Sequence, residues 1–556
     1  MRSHALARLA FIAGILASTA SAQTCLPGEV HGEQRIGEGF GGFFGALDAD
    51  DRFGVAVGSL GLLDNDTTPD LIVGAYLDDD GGSNRGAAWI LFMDDGGLPM
   101  FNADALGNPD GTVDAYVKIS STSGGFTGAL QDHGEFGRSV APLGDLDGDG
   151  YPDVAVGAPG ATLDEGEVWI LFLNANGTVK AHQRIATGSG GFTGTLSLAG
   201  QFGISLANLG DFDGDGITDL AVGHPAYNSP SAVWILLLNT DGTVKGHHKV
   251  EAGDVGATLN LFGTAVSAIG DFDGNGTPDF AVSAPGEGPG FNSEGAVYLV
   301  RMNANGTVLA YQRIGENDGG FDGSLGNVEM FGWSLASPGD VDGDGTIDLA
   351  VGTRHSDRVW MLYLAGAGPV RDHALISASA GGLTGPIAGG DEFGSSVAAL
   401  GDLDGDQRLD LFVGAHGAAG AEGQAWVLFL RQPRWIDLGQ ALGAFPAGEP
   451  ELVGSGTLIP GEPVSLKLQN ANVGKIANLI VGITPIYAPF KGGVLVPSPD
   501  VGFYGFNTGL TGKAEVVGTW PTGMPCEFST YYQWWIQDSF GPDGWAASNA
   551  MQAVTP

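Results

Sequence analysis

Apolar and polar positions along this chain fall into a unit that recurs six times. It opens with Phe-Gly, at Phe53, Phe136, Phe202, Phe262, Phe331 and Phe393. An Asp-rich stretch follows, then a short apolar run ending in Gly-Ala-Pro or a variant of it. The endings are Val73-Gly74-Ala75, Gly157-Ala158-Pro159, Gly223-His224-Pro225, Ser283-Ala284-Pro285, Gly352-Thr353-Arg354 and Gly414-Ala415-His416. A second apolar run is led by Trp89, Trp169, Trp234, Tyr298, Trp360 or Trp426. The unit closes with a turn such as Asn174-Ala175-Asn176-Gly177 and a polar alternating segment such as Lys180 to Ile185.

Each unit therefore predicts four short strands. The second and third are continuous apolar runs, as expected when both faces are buried. The fourth alternates, as expected at a solvated edge. The Asn-Gly turn before it supplies the positive φ of a tight hairpin. Long helical periodicity is missing throughout. Four-stranded units repeated six times predict an all-β, six-bladed β-propeller. A linear solenoid would need atypical capping repeats, and the sequence has none.

The strand count predicts how the ring closes. Fourth strands follow units one to five, at 113–119, 179–185, 244–250, 308–314 and 370–376. After unit six, Trp426 to Leu430 runs into Arg431-Gln432-Pro433, where no fourth strand fits. A spare copy stands at the N-terminus, Val30 to Ile36, followed by the Gly-Gly-Phe loop of the other units at Gly41-Gly42-Phe43. This strand is expected to pair with 426–430 and complete the last blade.

Composition sharpens the picture. Of 556 residues, 43 % are hydrophobic, so a core can form, but 96 are glycine. Asp and Glu number 64 against 23 Lys and Arg, a net charge of −41. That excludes nucleic acid, whose phosphates need basic partners, and an anionic membrane surface. It points instead to cations. Arg2 and Arg8, the apolar stretch Leu9 to Ala17 and the site Ala20-Ser21-Ala22 predict a signal peptide over 1–22, hence a secreted or cell-surface protein. That stretch is too short to span a bilayer, and no later one is long and apolar enough. Two cysteines remain, Cys25 and Cys526; in an exported protein they can pair, or each can stay a thiol in its own module.

The Asp-rich stretch has the form Asp-x-Asp-x-Asp-Gly-x-x-Asp. It reads Asp145, Asp147, Asp149, Asp153 in unit two and Asp211, Asp213, Asp215, Asp219 in unit three. Unit four has Asp271, Asp273, Asn275, Asp279; unit five Asp340, Asp342, Asp344, Asp348; unit six Asp402, Asp404, Asp406, Asp410. Alternate residues of a tight loop can turn oxygens inward, and Ca2+ takes six to eight of them. An EF-hand places its last carboxylate at position 12 before a helix; here it stands at position 9 before a strand. Five copies in one place argue against mere Asp-Gly turns. Unit one keeps Asp64, Asp66 and Asp70 but has Leu62 at position 1 and Thr67 at position 6, so its site is expected to be weak or lost. Unit six has Gln407 at position 6, a milder fault. Five calcium sites and a doubtful sixth are expected.

The period, Phe-Gly and Gly-Ala-Pro elements and the nine-residue loop resemble the FG-GAP repeats of integrin α subunits, over residues 29–432. Integrin heads carry seven repeats; this chain has six. The resemblance implies calcium at loop positions 1, 3, 5, 7 and 9. It also implies that the loops opposite the calcium loops face ligand. Those loops carry Asp78 to Asp80, Arg85, His224, Arg354, His355 and His416, which read either as solvated loop residues or as a grip for an acidic glycan or a peptide carboxylate. The recurring Gly-Gly-Phe-Thr-Gly, at 124–128 and 190–194, reads as a structural turn. No nucleophile elbow, His-Glu-x-x-His or phosphate loop is present. The expected function is an extracellular calcium-binding module for adhesion or for binding a protein or glycan. The alternative is a secreted polysaccharide lyase or hydrolase on the same scaffold.

After Trp435 the repeat ends. The expected domains are thus 1–22, a propeller over 23–435 and a β-sandwich-like module over 436–556. The run Tyr531-Tyr532-Gln533-Trp534-Trp535 is expected mainly as core, with a sugar-binding platform as the alternative.

Overall fold

The structure is a computed structural model. It describes residues 26–64, 66–94, 111–226, 231–257, 261–288, 292–366, 368–444, 446, 448–459, 461–521 and 524–556. The expected signal peptide and Cys25 lie outside the described residues. Two compact units form: 29–430 without the loop 340–345, and 431–556 with that loop and residues 26–28.

The first unit holds six four-stranded antiparallel sheets. Blade two is typical: Ser139–Gly144, Asp153–Ala158, Glu167–Leu173 and Val179–Ile185. Its second and third strands are buried along their whole length, while the fourth is buried only at its ends. The sequence pattern thus sorts the strands by depth. The inner strands Ala56–Gly61, Ser139–Gly144, Leu206–Gly210, Val266–Gly270, Ser334–Gly339 and Phe393–Gly401 touch in a circle, the last returning to the first. The protein is all-β, and this unit is a six-bladed propeller.

Local chemistry explains the repeat. Each Phe-Gly phenylalanine is fully buried. Its glycine takes φ near 90°, and a Cβ on Gly137 would lie 2.1 Å from the Ala87 carbonyl oxygen. No other residue fits both demands. At four seams a serine hydroxyl three residues after that phenylalanine donates to the glycine carbonyl of the next blade. These bonds are Ser139 to Gly203 (2.7 Å), Ser205 to Gly263 (2.9 Å), Ser334 to Gly394 (2.8 Å) and Ser396 to Gly54 (2.7 Å). Ala56 and Ala265 hold this position at the other two seams. The Gly-Gly-Phe loops are structural plugs: Phe126 stacks on Phe136 at 5.3 Å and meets Trp169 edge-on at 5.2 Å.

The N-terminal strand Val30–Ile36 pairs antiparallel with Gln424–Leu430, from Val30 opposite Leu430 to Ile36 opposite Ala425. It reproduces a detail of the other blades. The first N–H of a fourth strand donates to the carbonyl of the first glycine in the Gly-Gly loop of the blade before, as Val179 does to Gly124 and Val244 to Gly190, each at 2.8 Å. Val30 does the same to Gly381, also at 2.8 Å. The ring therefore closes by a strand exchanged between its two ends.

The second unit is a small β-sandwich. A five-stranded sheet runs Arg434–Asp437, Trp545–Val554, Ser529–Gln537, Ile476–Gly482, Val501–Asn507. A three-stranded sheet holds Glu451–Ser455, Pro463–Gln469 and Ala514–Thr519. Leu466, Leu468 and Val516 of one pack with Leu479, Trp534 and Ile536 of the other. Residues 531 to 535 are all buried, so the aromatic run is core and offers no sugar platform. Gln533 sits among those rings because its amide is satisfied, accepting from Val496 N (3.1 Å) and donating to Val494 O (3.1 Å). Cys526 is disulfide-bonded.

Candidate metal loops and the axial opening

In each blade the acidic loop joins the first and second strands. The loop of blade two shows its construction. Asp145, at the end of the inner strand, folds the loop around its own carboxylate: Gly148 N and Asp149 N donate to Oδ1 (2.8 and 2.9 Å) and Gly150 N to Oδ2 (2.9 Å). Gly150 makes the turn at φ 96°. Asp153, the first residue of the second strand, is fully buried. Its carboxylate accepts from Leu146 N at 3.0 Å and from Leu173 N at 3.1 Å. Oxygens of Asp145, Asp147 and Asp153 thereby lie within 4.8 Å of one another.

The same gathering recurs for Asp211, Asp213 and Asp219, and for Asp271, Asp273 and Asp279. It recurs for Asp340, Asp342 and Asp344, while Asp348 is buried at the start of its own strand. In blade six Asp404, Asp406 and His31 form such a group, and the charges of Asp402, Asp404 and Asp406 act on buried Asp410. Asn275 uses its amide nitrogen on Met302 O (3.0 Å). Gln407 makes the blade-six turn at φ 67°, which a side chain tolerates at a cost. Thr67 is not in that region, so the loop of Asp64, Asp66 and Asp70 turns differently.

Burying the ninth-position carboxylate has an electrostatic cost. Burial pushes Asp153, Asp219 and Asp279 up to about 6, Asp70 to about 7 and Asp410 to about 8. Backbone N–H donors oppose the rise, and the neighbouring loop carboxylates add to it. Such a cage is hard, anionic and all-oxygen, the donor set that suits Ca2+.

The sequence reading missed what faces these loops. The second residue of the fourth strand lies beside the loop of its own blade. In blade two Lys180 pairs with Asp147 (2.9 Å) and Asp149, and in blade three Lys245 pairs with Asp213 (3.0 Å) and Asp215. In blade six the residue is His31, 3.9 Å from Asp406, which also pairs with Arg408 at 3.1 Å. Blade four has the exposed Leu309 there instead. The signal was the strand register: the Asn-Gly turn returns the chain to the same end as the loop.

The antiparallel order puts the remaining loops at the opposite end. There the inner strands surround an opening of roughly 280 Å3 lined by Tyr76, Glu135, Arg138, Gln201, Trp333 and Arg354 among others. The loop residues singled out from sequence do not gather into one patch. Asp78 and Asp80 hold Lys118 (2.5 and 3.0 Å), and Arg85 holds Asp132 (2.7 Å). His224 is buried, and burial lowers it to about 4. Arg354 reaches the opening, its guanidinium over the Trp333 ring at 4.3 Å. Buried His416 lies between Glu392 (Nε2 to Oε2, 2.8 Å) and Ser395 (Nδ1 to Oγ, 2.7 Å), and Ser395 lines the opening.

Comparison with known proteins agrees with this geometry. The FG-GAP repeat family matches residues 136–171, 202–236, 262–300 and 393–428. These are blades two, three, four and six. The two unmatched blades are the one with Leu62 and Thr67 in its loop and the one with Gly352-Thr353-Arg354 for Gly-Ala-Pro. Integrin alpha-PS2 of Drosophila melanogaster is 30 % identical over 243 residues, 42 % of this chain and 16 % of that protein. Integrin alpha pat-2 of Caenorhabditis elegans is 31 % identical over 249 residues, 42 % of this chain and 19 % of that one. Integrin alpha-V of Gallus gallus is 33 % identical over 246 residues, 43 % and 22 %. The match thus spans about a fifth of these relatives. The crystal structure of AofleA from Arthrobotrys oligospora covers 89 % of this chain and 98 % of its own at 8 % identity, with a TM-score of 0.36.

Proposed function

We propose, from the premise that this chain is an FG-GAP repeat β-propeller protein of the integrin α type, that it is a secreted or cell-surface module whose propeller binds a protein or glycan ligand and is held rigid by Ca2+. The observation that carries the reading is the recurrence of one carboxylate cage at one end of successive blades, with ligand-sized space at the other. The residues that would hold calcium are those of the five complete loops, Asp145 to Asp153, Asp211 to Asp219, Asp271 to Asp279, Asp340 to Asp348 and Asp402 to Asp410. Asp64, Asp66 and Asp70 form a degraded sixth. A disulfide at Cys526 suits an oxidising compartment, in keeping with a signal peptide over 1–22. The propeller is assigned to 23–435 and the accessory module to 436–556. No helix among the described residues is long and apolar enough to cross a membrane.

The experiment is an array of extracellular proteins and glycans probed with the whole chain, in calcium and in chelator. Retention of a defined partner in calcium supports the reading. The absence of any partner in calcium would refute it.

The loops should differ in weight. Asp147→Ala removes a member of a complete cage, whereas Asp64→Ala touches the loop already lacking its first ligand. In calcium, Asp147→Ala is expected to lower Tm by several degrees, for a loss on the order of 1–2 kcal/mol, and Asp64→Ala by about one degree or less. Thermal melts of the two variants check this; the reverse order contradicts the ranking of the loops.

One observation favours a second reading, a hydrolase: the row Ser395, His416, Glu392 at the opening. All three are already satisfied by one another, and Ser395 also donates to Gly414 O at 3.3 Å. Turnover of polysaccharides or their esters that vanishes in Ser395→Ala would establish it.

A further inference from the structure

Two arginines, Arg138 and Arg354, line the axial opening of this acidic chain. Lys118, Lys180, Lys245, Arg184 and Arg313 each sit on carboxylates. Arg138 and Arg354 do not: neither has a hydrogen bond or ion pair from its guanidinium among the described residues. Each instead has its guanidinium carbon over an aromatic ring, Arg138 over Tyr76 at 4.6 Å and Arg354 over Trp333 at 4.3 Å. Such a cation–π contact restrains the guanidinium and leaves its N–H donors available. The two belong to blades two and five, which face each other across a ring of six.

The backbone at the rim gives an independent sign. The residue before each Phe-Gly is left-handed: Arg52, Glu135, Gln201, Leu261, Met330 and Glu392 have φ between 54 and 65°. The turn is part of the blade. The side chains are not required by it, since glycine relieves the strain and this chain has 96 of them. Strained positions that keep side chains concentrate at ligand clamps.

We propose that this opening is a carboxylate site, in which Arg138 and Arg354 grip from opposite sides the single carboxylate of an acidic peptide side chain entering along the axis. The proposal rests on the ligand-binding reading above and names the ligand. An axial hole admits one protruding group, whereas a polyuronate lying across the face would need a groove with repeated cations. Guanidinium is the group that matches a carboxylate in plane and donor spacing. The rim's own acids leave room for it. Glu392 is hydrogen-bonded by His416, and burial raises Glu135 against the lowering charge of Arg138. Below the rim Val57, Val140, Leu206, Val266, Leu335 and Val397 form an aliphatic collar.

The test is calorimetric titration of the calcium-saturated whole chain with the peptide Gly-Gly-Asp-Gly-Gly, its Asn counterpart and tri-galacturonate. The Asp peptide should bind, with the Asn peptide at least about tenfold weaker, as loss of a charged hydrogen-bond partner implies. Arg138→Gln and Arg354→Gln should each weaken the Asp peptide about tenfold with melting unchanged. Excess acetate, but not acetamide, should displace it from the unaltered protein, a measurement that needs no variant. Equal binding of Asp and Asn peptides, indifference to both substitutions, or binding of tri-galacturonate alone overturns the proposal. An array partner whose retention ignores both arginines would leave the general reading standing and this one refuted.

Discussion

A chain that starts at Glu38 should lose the ring's integrity, with a fall in Tm of ten degrees or more and rapid proteolysis of blade six. Val30 and Ile36 are buried, and the strand is hydrogen-bonded along Gln424–Leu430 and to Gly381. Two buried aliphatic side chains at about 2 kcal/mol each, and a ladder of bonds at about 1 kcal/mol each, come to more than 5 kcal/mol, a large share of ordinary domain stability. The deletion also exposes the apolar third strand as a free edge. It removes Cys25 as well, so Cys526→Ser in the full chain is the control for the lost disulfide. Melting and limited proteolysis read the outcome. A truncated chain that melts like the Cys526→Ser control would show that the N-terminal strand does not hold the ring.

Chelation is expected to lower Tm by a similar amount, and calcium to restore it better than magnesium. A ligand bound only to the folded state adds about 2.7 kcal/mol per site at a hundredfold excess over its Kd. Magnesium demands near-octahedral geometry and gives up water reluctantly, which suits these loops less well. The pH dependence in chelator follows from the buried ninth-position carboxyls. An unfolded Asp titrates near 3.9, while Asp153, Asp219 and Asp279 are raised to about 6 and Asp410 to about 8. The folded state holds protons that the unfolded state has released. The cost is nil below both values, grows as pH rises from about 4 to 8, and is full above that. Metal-free protein should therefore melt higher at pH 5.5 than at pH 8, and calcium should remove the difference. A metal-free protein that instead loses stability between pH 8 and 5.5 would contradict this.

Much of the fold was legible because each blade repeats the same local demands. Phe-Gly needs a buried ring beside a glycine that packs against a carbonyl, and that requirement shows six times. The exchanged strand was legible as a copy of Lys180–Ile185 standing out of order at 30–36. The acidic loops were legible as spacing, but not their neighbours. Lys180, Lys245 and His31 lie 30 residues or more from the carboxylates they face, and only the strand register brings them there. The arginine pair at the opening was half visible. Arg354 was singled out, but Arg138 reads as an ordinary polar residue until the ring sets it opposite. The aromatic run 531–535 misleads for a related reason, since Gln533 looks like an outward position and is buried by bonds to backbone that is distant in sequence.

The central claim is that the carboxylate cages are calcium sites that hold a binding propeller together. Its most direct test is a calcium titration of the metal-stripped chain by calorimetry, with melting followed at each step. The account predicts binding of five ions per chain, a rise in Tm with occupancy, and one ion fewer in Asp147→Ala. A stripped chain that binds no calcium and melts unchanged in its presence would contradict it.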